Sequence, residues 1–184
     1  MDELIDIVDS QGKPTGTIAL KSEAHKNGLY HNTIHLWLFT ENGEIVLQQR
    51  SKKKKIYPLL WDVSVAGHID AGESFETAAI RECQEEIGLD LTESELIKIG
   101  THLHESIYDD GKVKDFEFHQ IYIAKLNKEL NSLKPQPDEV EALKLVTFNE
   151  FENLLESSEN NSHFIASNTS YYQFVLNTIK SQIQ

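Results

Sequence analysis

Apolar positions recur with period two over much of the chain and with period 3.6 in one central stretch. "ELIDIVDSQGKPTGTIAL", residues 3–20, predicts two short strands around a Gly/Pro turn. "NTIHLWLFTENGEIVLQQR" predicts a hairpin, with Asn42-Gly43 as its turn and Ile45, Val46 and Leu47 opening the second strand. "SKKKKIYPLLW" reads as a basic loop closed by Pro58, leading to the short strand "WDVSVAG". Gly67 to Gly72 bound a loop, and a helix follows from Ser74 to Ile87, with Ser74 as N-cap and Gly88 just past its end. Strands return at "LIKIGTHLHE" and "FEFHQIYIAKL", separated by the turn-rich "YDDGK". "LNKELNSLKPQPDE" is a polar connection before the strand "ALKLVTF". "NEFENLLESS" reads as a helix capped by Asn149, and "SYYQFVLNTIKSQI" as a terminal helix, giving a helical segment over about residues 149–182. Strands around a central helix, with more helix at the end, predict an α/β or α+β sandwich whose mixed sheet lies between helices.

Composition narrows the function more than the fold. The 184 residues suit one domain, and 39% hydrophobic with 26% charged residues is an ordinary globular balance. The net charge of −13 argues against a general nucleic-acid binder, which needs basic surface for phosphates. It does not exclude a phosphate-bearing substrate, because bound divalent cations invert the local charge. Cys83 is the single cysteine, so no intramolecular disulfide forms. The start lacks the basic and apolar regions of a signal peptide, and no apolar run reaches the ~20 residues of a membrane span. A cytoplasmic protein without membrane contact is expected.

The stretch "RECQEEIG", residues 81–88, carries the first chemical signal. It places Glu82, Glu85 and Glu86 in one sector of the central helix, beside the apolar side formed by Phe75, Ala79, Ile80, Cys83 and Ile87. Like charges at i, i+4 cost an isolated helix roughly 0.2–0.5 kcal/mol. A solvated face is the ordinary explanation of a glutamate cluster. Mg²⁺ or Mn²⁺, which prefer hard oxygen ligands, would instead turn the repulsion into coordination.

The upstream residues favour the metal. "GHIDAGESFETAAIRECQEEIGL", residues 67–89, has Gly, five residues, Glu, seven residues, Arg-Glu-apolar, one residue, Glu-Glu, one residue and Gly-apolar. This resembles the Nudix box with every fixed position filled. At roughly 5–7% usage per residue type, seven such matches arise by chance on the order of 10⁻⁹ per starting position. The resemblance implies a Nudix-type α/β/α sandwich with a loop–helix–loop metal site. Glu82, Glu85 and Glu86 would then be metal ligands, Gly67 would add its carbonyl, and Arg81 would orient the carboxylates. Glu73 would chiefly brace the loop to the helix, with a catalytic role as the lesser expectation. The implied activity is Mg²⁺- or Mn²⁺-dependent hydrolysis of a nucleoside diphosphate derivative or a related diphosphate. A homodimer is expected from family habit alone.

Residues 1–150 extend the likeness. "AHKNGLYHNTIHLWLF", "QQRSKKKKIYPLLWDVSVAGHI" and "DFEFHQIY" are similar to the Nudix branch that contains type I isopentenyl-diphosphate isomerase. That likeness implies a further metal site at His25, His31, His68, Asp115 and Glu117, with His25 matching only across a one-residue gap. It also implies that Arg50 and Lys54 hold the substrate diphosphate. Ala66 departs from the pattern, standing where the isomerase has its catalytic cysteine. Moving a proton on and off an alkene needs acid and base groups flanking the carbon skeleton. Glu117 could be half of that catalytic pair, but one carboxylate cannot readily serve both faces, and the methyl group of Ala66 supplies neither group. The expectation is therefore an isomerase-like scaffold with hydrolase chemistry. Isomerase activity ranks second, and a nucleotide-binding module without catalysis ranks third, against it the intact box.

Other polar residues have ordinary explanations. Lys52 to Lys55 form a run that is either solvated or, at Lys54, on substrate phosphate. His35, His102, His104 and His119 lie on alternating strands and are expected to be structural rather than ligands. Asp109 and Asp110 suit a turn. Trp61 and Cys83 are expected in the core, and a catalytic role for Glu139 or Glu141 is a weak guess.

Overall fold

A computed structural model describes residues 2–183. The described strands are β1 (Leu4–Val8), β2 (Pro14–Leu20), β3 (His31–Phe39), β4 (Glu44–Arg50), β5 (Trp61–Asp62), β6 (Val65–His68), β7 (Ile97–Tyr108), β8 (Val113–Lys125) and β9 (Val140–Thr147). The described α-helices are α1 (Lys21–Asn27), α2 (Phe75–Ile87), α3 (Phe148–Glu156) and α4 (Thr169–Ile183). The mixed α/β sandwich expected from the sequence is what forms, with β3 at its centre. β3 runs parallel to β8 from His31–Glu117 to Phe39–Lys125, and antiparallel to β6 from Thr33–His68 to Leu36–Val65.

The period-two pattern of β3 sorts its side chains between two cores. Ile34, Leu36 and Leu38 pack with Val46 and with Ala79, Cys83 and Ile87 of α2. Trp37 and Phe39 pack on the other face with Phe151 of α3 and with Tyr172, Val175 and Ile179 of α4. Both faces are therefore covered by helix over Ile34 to Phe39, which explains why the apolar residues of β3 gather in its second half.

Several local readings change in the fold. The Asn42-Gly43 turn forms, with Gly43 at φ 79°. The expected hairpin, however, is paired through Phe39–Ile45 alone. Beyond it the strands part, because β3 takes β6 and β8 as neighbours while β4 pairs with β9 and β5. Thr147, not Asn149, caps α3: its hydroxyl accepts the Glu150 N–H, and the Glu150 carboxylate accepts the Thr147 N–H. The C-terminal helical segment is interrupted over residues 157–168 between α3 and α4. Helix α1 escaped the periodicity reading because it has seven residues, one buried side chain (Ala24) and no side-chain N-cap. Among the described residues no helix is long and apolar enough to cross a membrane.

Candidate active site

Two side-chain clusters meet along β6, whose consecutive residues Ala66, Gly67 and His68 touch both. The first belongs to α2. Ser74 caps the helix by accepting the Thr77 N–H at 3.1 Å, and Gly88 ends it in the left-handed region at φ 68°. Burying Ala78, Ala79, Cys83 and Ile87 against the sheet fixes the rotation of the helix, so Glu82 and Glu86 turn toward β6. A Cβ at Gly67 would overlap the Glu82 carboxylate, so only glycine lets the strand and that side chain approach as they do.

Arg81 ties the loop to the helix. Its Nε and Nη2 donate to Glu73 at 3.0 and 2.8 Å, its Nη1 to Glu82 at 2.8 Å and to Glu85 at 3.3 Å, and its Nη2 to the His68 carbonyl at 2.9 Å. Glu73 is thus engaged through both oxygens. Although burial works against its charge, the Arg81 bonds hold its carboxyl below the usual range. Glu85 is exposed, whereas Glu86 is buried. Glu86 Oε2 accepts from Gln48 Nε2 at 3.2 Å and from the Ala66 N–H at 3.3 Å. Burial, reinforced by the Glu82 charge, pushes the Glu86 carboxyl up to about 8. Burial also raises Glu82, with Arg81 opposing the shift.

The second cluster follows from strand register. The parallel β3–β8 pairing sets His31 beside Glu117, the β3–β6 pairing sets Thr33 beside His68, and α1 brings His25. Ligand atoms of His25, His31, His68 and Glu117 all lie within 4.8 Å of one another. The His31 Nδ1–H donates to the Leu29 carbonyl at 2.9 Å, which turns Nε2 toward Glu117 Oε1 at 3.5 Å. His25 donates from Nδ1 to Asp115 at 2.7 Å, so its Nε2 lone pair faces His68 Nε2 at 3.1 Å. Asp115, expected as a ligand, instead stands behind His25 as the partner that fixes its ring. Burial holds His68 well below its usual value and therefore neutral. Burial disfavours the Glu117 carboxylate too, but its hydrogen bond with His31 draws its carboxyl well below the ordinary range. Histidine nitrogens converging on an ionised carboxylate form a donor set that a cation fits.

Glu82, Glu85 and Glu86 of the first cluster and His68, Asp115 and Glu117 around the second line one cavity of about 600 Å³, which also receives Arg50 and Lys54. The Arg50 Nε and Nη2 hold the Ile56 carbonyl at 3.3 and 3.1 Å, shaping the basic loop. The lysine run is countered residue by residue: Lys52 pairs with Glu141, Lys53 with Asp138 and Lys54 with Glu139. Lys54 and Lys55 line the cavity, whereas Lys52 and Lys53 point to solvent. His35, His102, His104 and His119 stand outside the ligand cluster, and His119 is hydrogen-bonded to Thr33 at 2.7 Å. Trp61 packs at the second core and stacks on His163. Cys83 is buried in the first core, and burial pushes its thiol up to about 12, so it is no nucleophile.

Sequence reading passed over Gln48, Thr33, Asp62 and Tyr108, all of which line the cavity or touch its clusters. Gln48 could have been found, because it shares the face of Val46, two residues earlier, and that face packs toward α2. The others come from separate elements, and no local spacing marks them.

The NUDIX domain model matches residues 29–167. Nudix hydrolase 3 of Arabidopsis thaliana is 35% identical over 161 residues, covering 86% of this chain and 21% of that protein. The chain thus spans about a fifth of that relative's length. An uncharacterized Nudix hydrolase of Clostridium acetobutylicum is 36% identical, with 85% of this chain and 75% of that one covered. The isopentenyl-diphosphate Δ-isomerase of Salmonella arizonae is 32% identical over 67% of each chain. Among solved structures, a Deinococcus radiodurans protein superposes with a TM-score of 0.69 at 16% identity, covering 93% of this chain and 98% of that one, a likeness of fold. An intact box folded as loop, helix and loop, inside a domain match that spans most of the residues, gives the conclusion that the chain belongs to the Nudix family.

Proposed function

We propose that the chain is a divalent-cation-dependent hydrolase of a nucleoside diphosphate derivative or a related diphosphate. The observation that carries this reading is Glu86, a buried carboxylate set near Glu82 and against β6 in the wall of the cavity. Neighbouring buried carboxylates either share protons or share a cation. Oxygen donors suit Mg²⁺ or Mn²⁺, and Glu82, Glu85, Glu86 and the Gly67 carbonyl would hold the ion. When bound, the ion neutralises phosphate oxygens and acidifies water.

The remaining work falls to side chains. Lys54 and Arg50 orient the diphosphate anion. Arg81, fixed by Glu73 and the His68 carbonyl, keeps Glu82 and Glu85 in place. A carboxylate of the box takes the proton of the attacking water. His25, His31, His68 and Glu117 would hold a second cation, with Asp115 orienting His25.

That histidine cluster also favours a second reading, isopentenyl-diphosphate isomerisation, the activity named for the Salmonella relative. Ala66 weighs against it, since its methyl group can neither give nor take a proton. The test of the leading reading is Glu86→Gln. With a substrate found by screening nucleoside diphosphate derivatives, turnover should fall about 10²-fold or more while the fold persists, the effect of losing a metal ligand. Full activity of the folded variant, or of the unmodified protein in excess chelator, would refute the proposal.

A further inference from the structure

His35 lies at the middle of β3 and lines the cavity, outside both side-chain clusters. It shares a face of the strand with Trp37 and stands directly opposite Ala66 of β6. Its tautomer follows from the groups behind it. The Trp37 Nε1–H, which can only donate, reaches the Tyr171 hydroxyl oxygen at 2.8 Å. The same oxygen lies 2.7 Å from His35 Nδ1. Trp37 and Tyr171 are buried, and among the described residues Nδ1 is the acceptor left for the Tyr171 O–H. Buried hydroxyls are rarely left without one, so Nδ1 accepts and the ring carries its proton on Nε2. Burial, reinforced by His119 stacked on the ring with centroids 3.9 Å apart, holds His35 well below its usual value and therefore neutral. The outcome is a fixed N–H donor. Among the described residues nothing accepts from it, although carboxylates are plentiful in the cavity.

A pre-set donor without a protein partner suits an acceptor that arrives with the ligand. Ala66, opposite His35, holds Glu86 through its backbone N–H, so His35 and the carboxylate cluster flank the same residue of β6. A substrate drawn to a cation on those carboxylates brings phosphate oxygens, the acceptors that the cavity does not itself offer His35. An uncharged donor also fits the place, because an imidazolium would repel the cation that the carboxylates collect. We infer that His35 is a further substrate-contacting residue, its Nε2–H donating to a phosphate oxygen of the bound diphosphate, with Tyr171 and Trp37 as positioning residues that fix its tautomer. This rests on the hydrolase reading and adds a donor from the centre of the sheet to those of Arg50 and Lys54.

Proton–nitrogen correlation spectra of the histidine rings in the ¹⁵N-labelled whole chain test it, with His35→Gln identifying the signals. The unliganded protein should show His35 protonated on Nε2 alone between about pH 6 and 8. Saturation with the non-hydrolysable ligand methylenediphosphonate in Mg²⁺ should bring out a downfield, slowly exchanging Nε2–H. By calorimetry, His35→Phe, which keeps a planar ring without the donor, should bind methylenediphosphonate about tenfold or more weakly. His35→Gln, whose amide can still donate, should stay within about threefold of the unmodified protein. Tyr171→Phe should let the Nδ1–H form appear and weaken the ligand by about threefold or more. A proton on Nδ1 in the unmodified protein, or an Nε2–H signal unaltered at saturation, would overturn the role of His35 and leave the hydrolase reading standing. So would equal losses in His35→Phe and His35→Gln, or a folded His35→Phe that binds within about twofold of the unmodified protein. Should His35→Phe not fold, the spectra of the unmodified protein decide alone. Failure of methylenediphosphonate to bind with Mg²⁺ would overturn the hydrolase reading itself, and the role of His35 with it.

Discussion

Ala66 and Glu86 are joined by a hydrogen bond, the Ala66 N–H donating to Glu86 Oε2 across 3.3 Å. The residue that departs from the isomerase pattern therefore supports the box through its backbone, whatever its side chain. The bond also helps to keep Glu86 buried, which sets the first prediction. The Glu86 carboxyl lies at about 8 in the fold against 4.5 for an ordinary glutamate, so folding without metal takes up a proton. This contribution to stability is complete below about 4.5 and is lost as the pH rises through about 8. Metal-free protein should lose stability over that window, and Glu86→Gln, which mimics the neutral carboxyl, should flatten the loss. Urea melts from pH 5 to 9 read it, and parallel slopes for the two proteins would count against the buried acid.

A linked expectation concerns metal. A cation that replaces the Glu86 proton releases it to solvent, so Mg²⁺ or Mn²⁺ should bind more tightly as the pH rises toward 8. Calorimetry in buffers of different ionisation enthalpy counts the protons released. No release at pH 6.5 would contradict the exchange.

Gly67→Ala probes the close approach of β6 to α2. The added methyl group meets the end of the flexible Glu82 side chain, so the fold should survive while the carboxylate shifts. Mn²⁺ affinity, followed by electron paramagnetic resonance, should drop about tenfold or more, in the range seen when ligand-orienting contacts are lost. Unchanged affinity would remove Glu82 from the ligand set.

In the basic loop, Lys54 lines the cavity and Lys52 does not. Lys54→Ala should raise KM by about tenfold, the worth of one charge-assisted phosphate contact, and Lys52→Ala should change it less than about twofold. Equal small effects would return the whole run to solvated surface.

How far the sequence reveals this arrangement depends on how local each feature is. The box is legible because one loop and one helix carry it, so spacing alone aligns Glu82, Glu86 and Gly67. The ionic brace at Arg81 is equally local, joining residues from 68 to 85. The histidine cluster draws on α1, β3, β6 and β8, and only the family likeness pointed to it. Periodicity could not have paired His31 with Glu117, since a parallel register 86 residues apart leaves no local trace. The parting of β3 from β4 after one pair is likewise decided by packing between distant elements.

The most direct test of the central claim, hydrolysis rather than isomerisation, is product identification by ³¹P and ²H magnetic resonance in deuterated water. The unmodified protein is given Mg²⁺, a panel of nucleoside diphosphate derivatives and, separately, isopentenyl diphosphate. The expected result is chelator-sensitive cleavage of a phosphoanhydride in at least one panel member, with no dimethylallyl diphosphate and no deuterium in the isoprenoid carbons. Robust conversion of isopentenyl diphosphate, with deuterium incorporated despite Ala66, would contradict it.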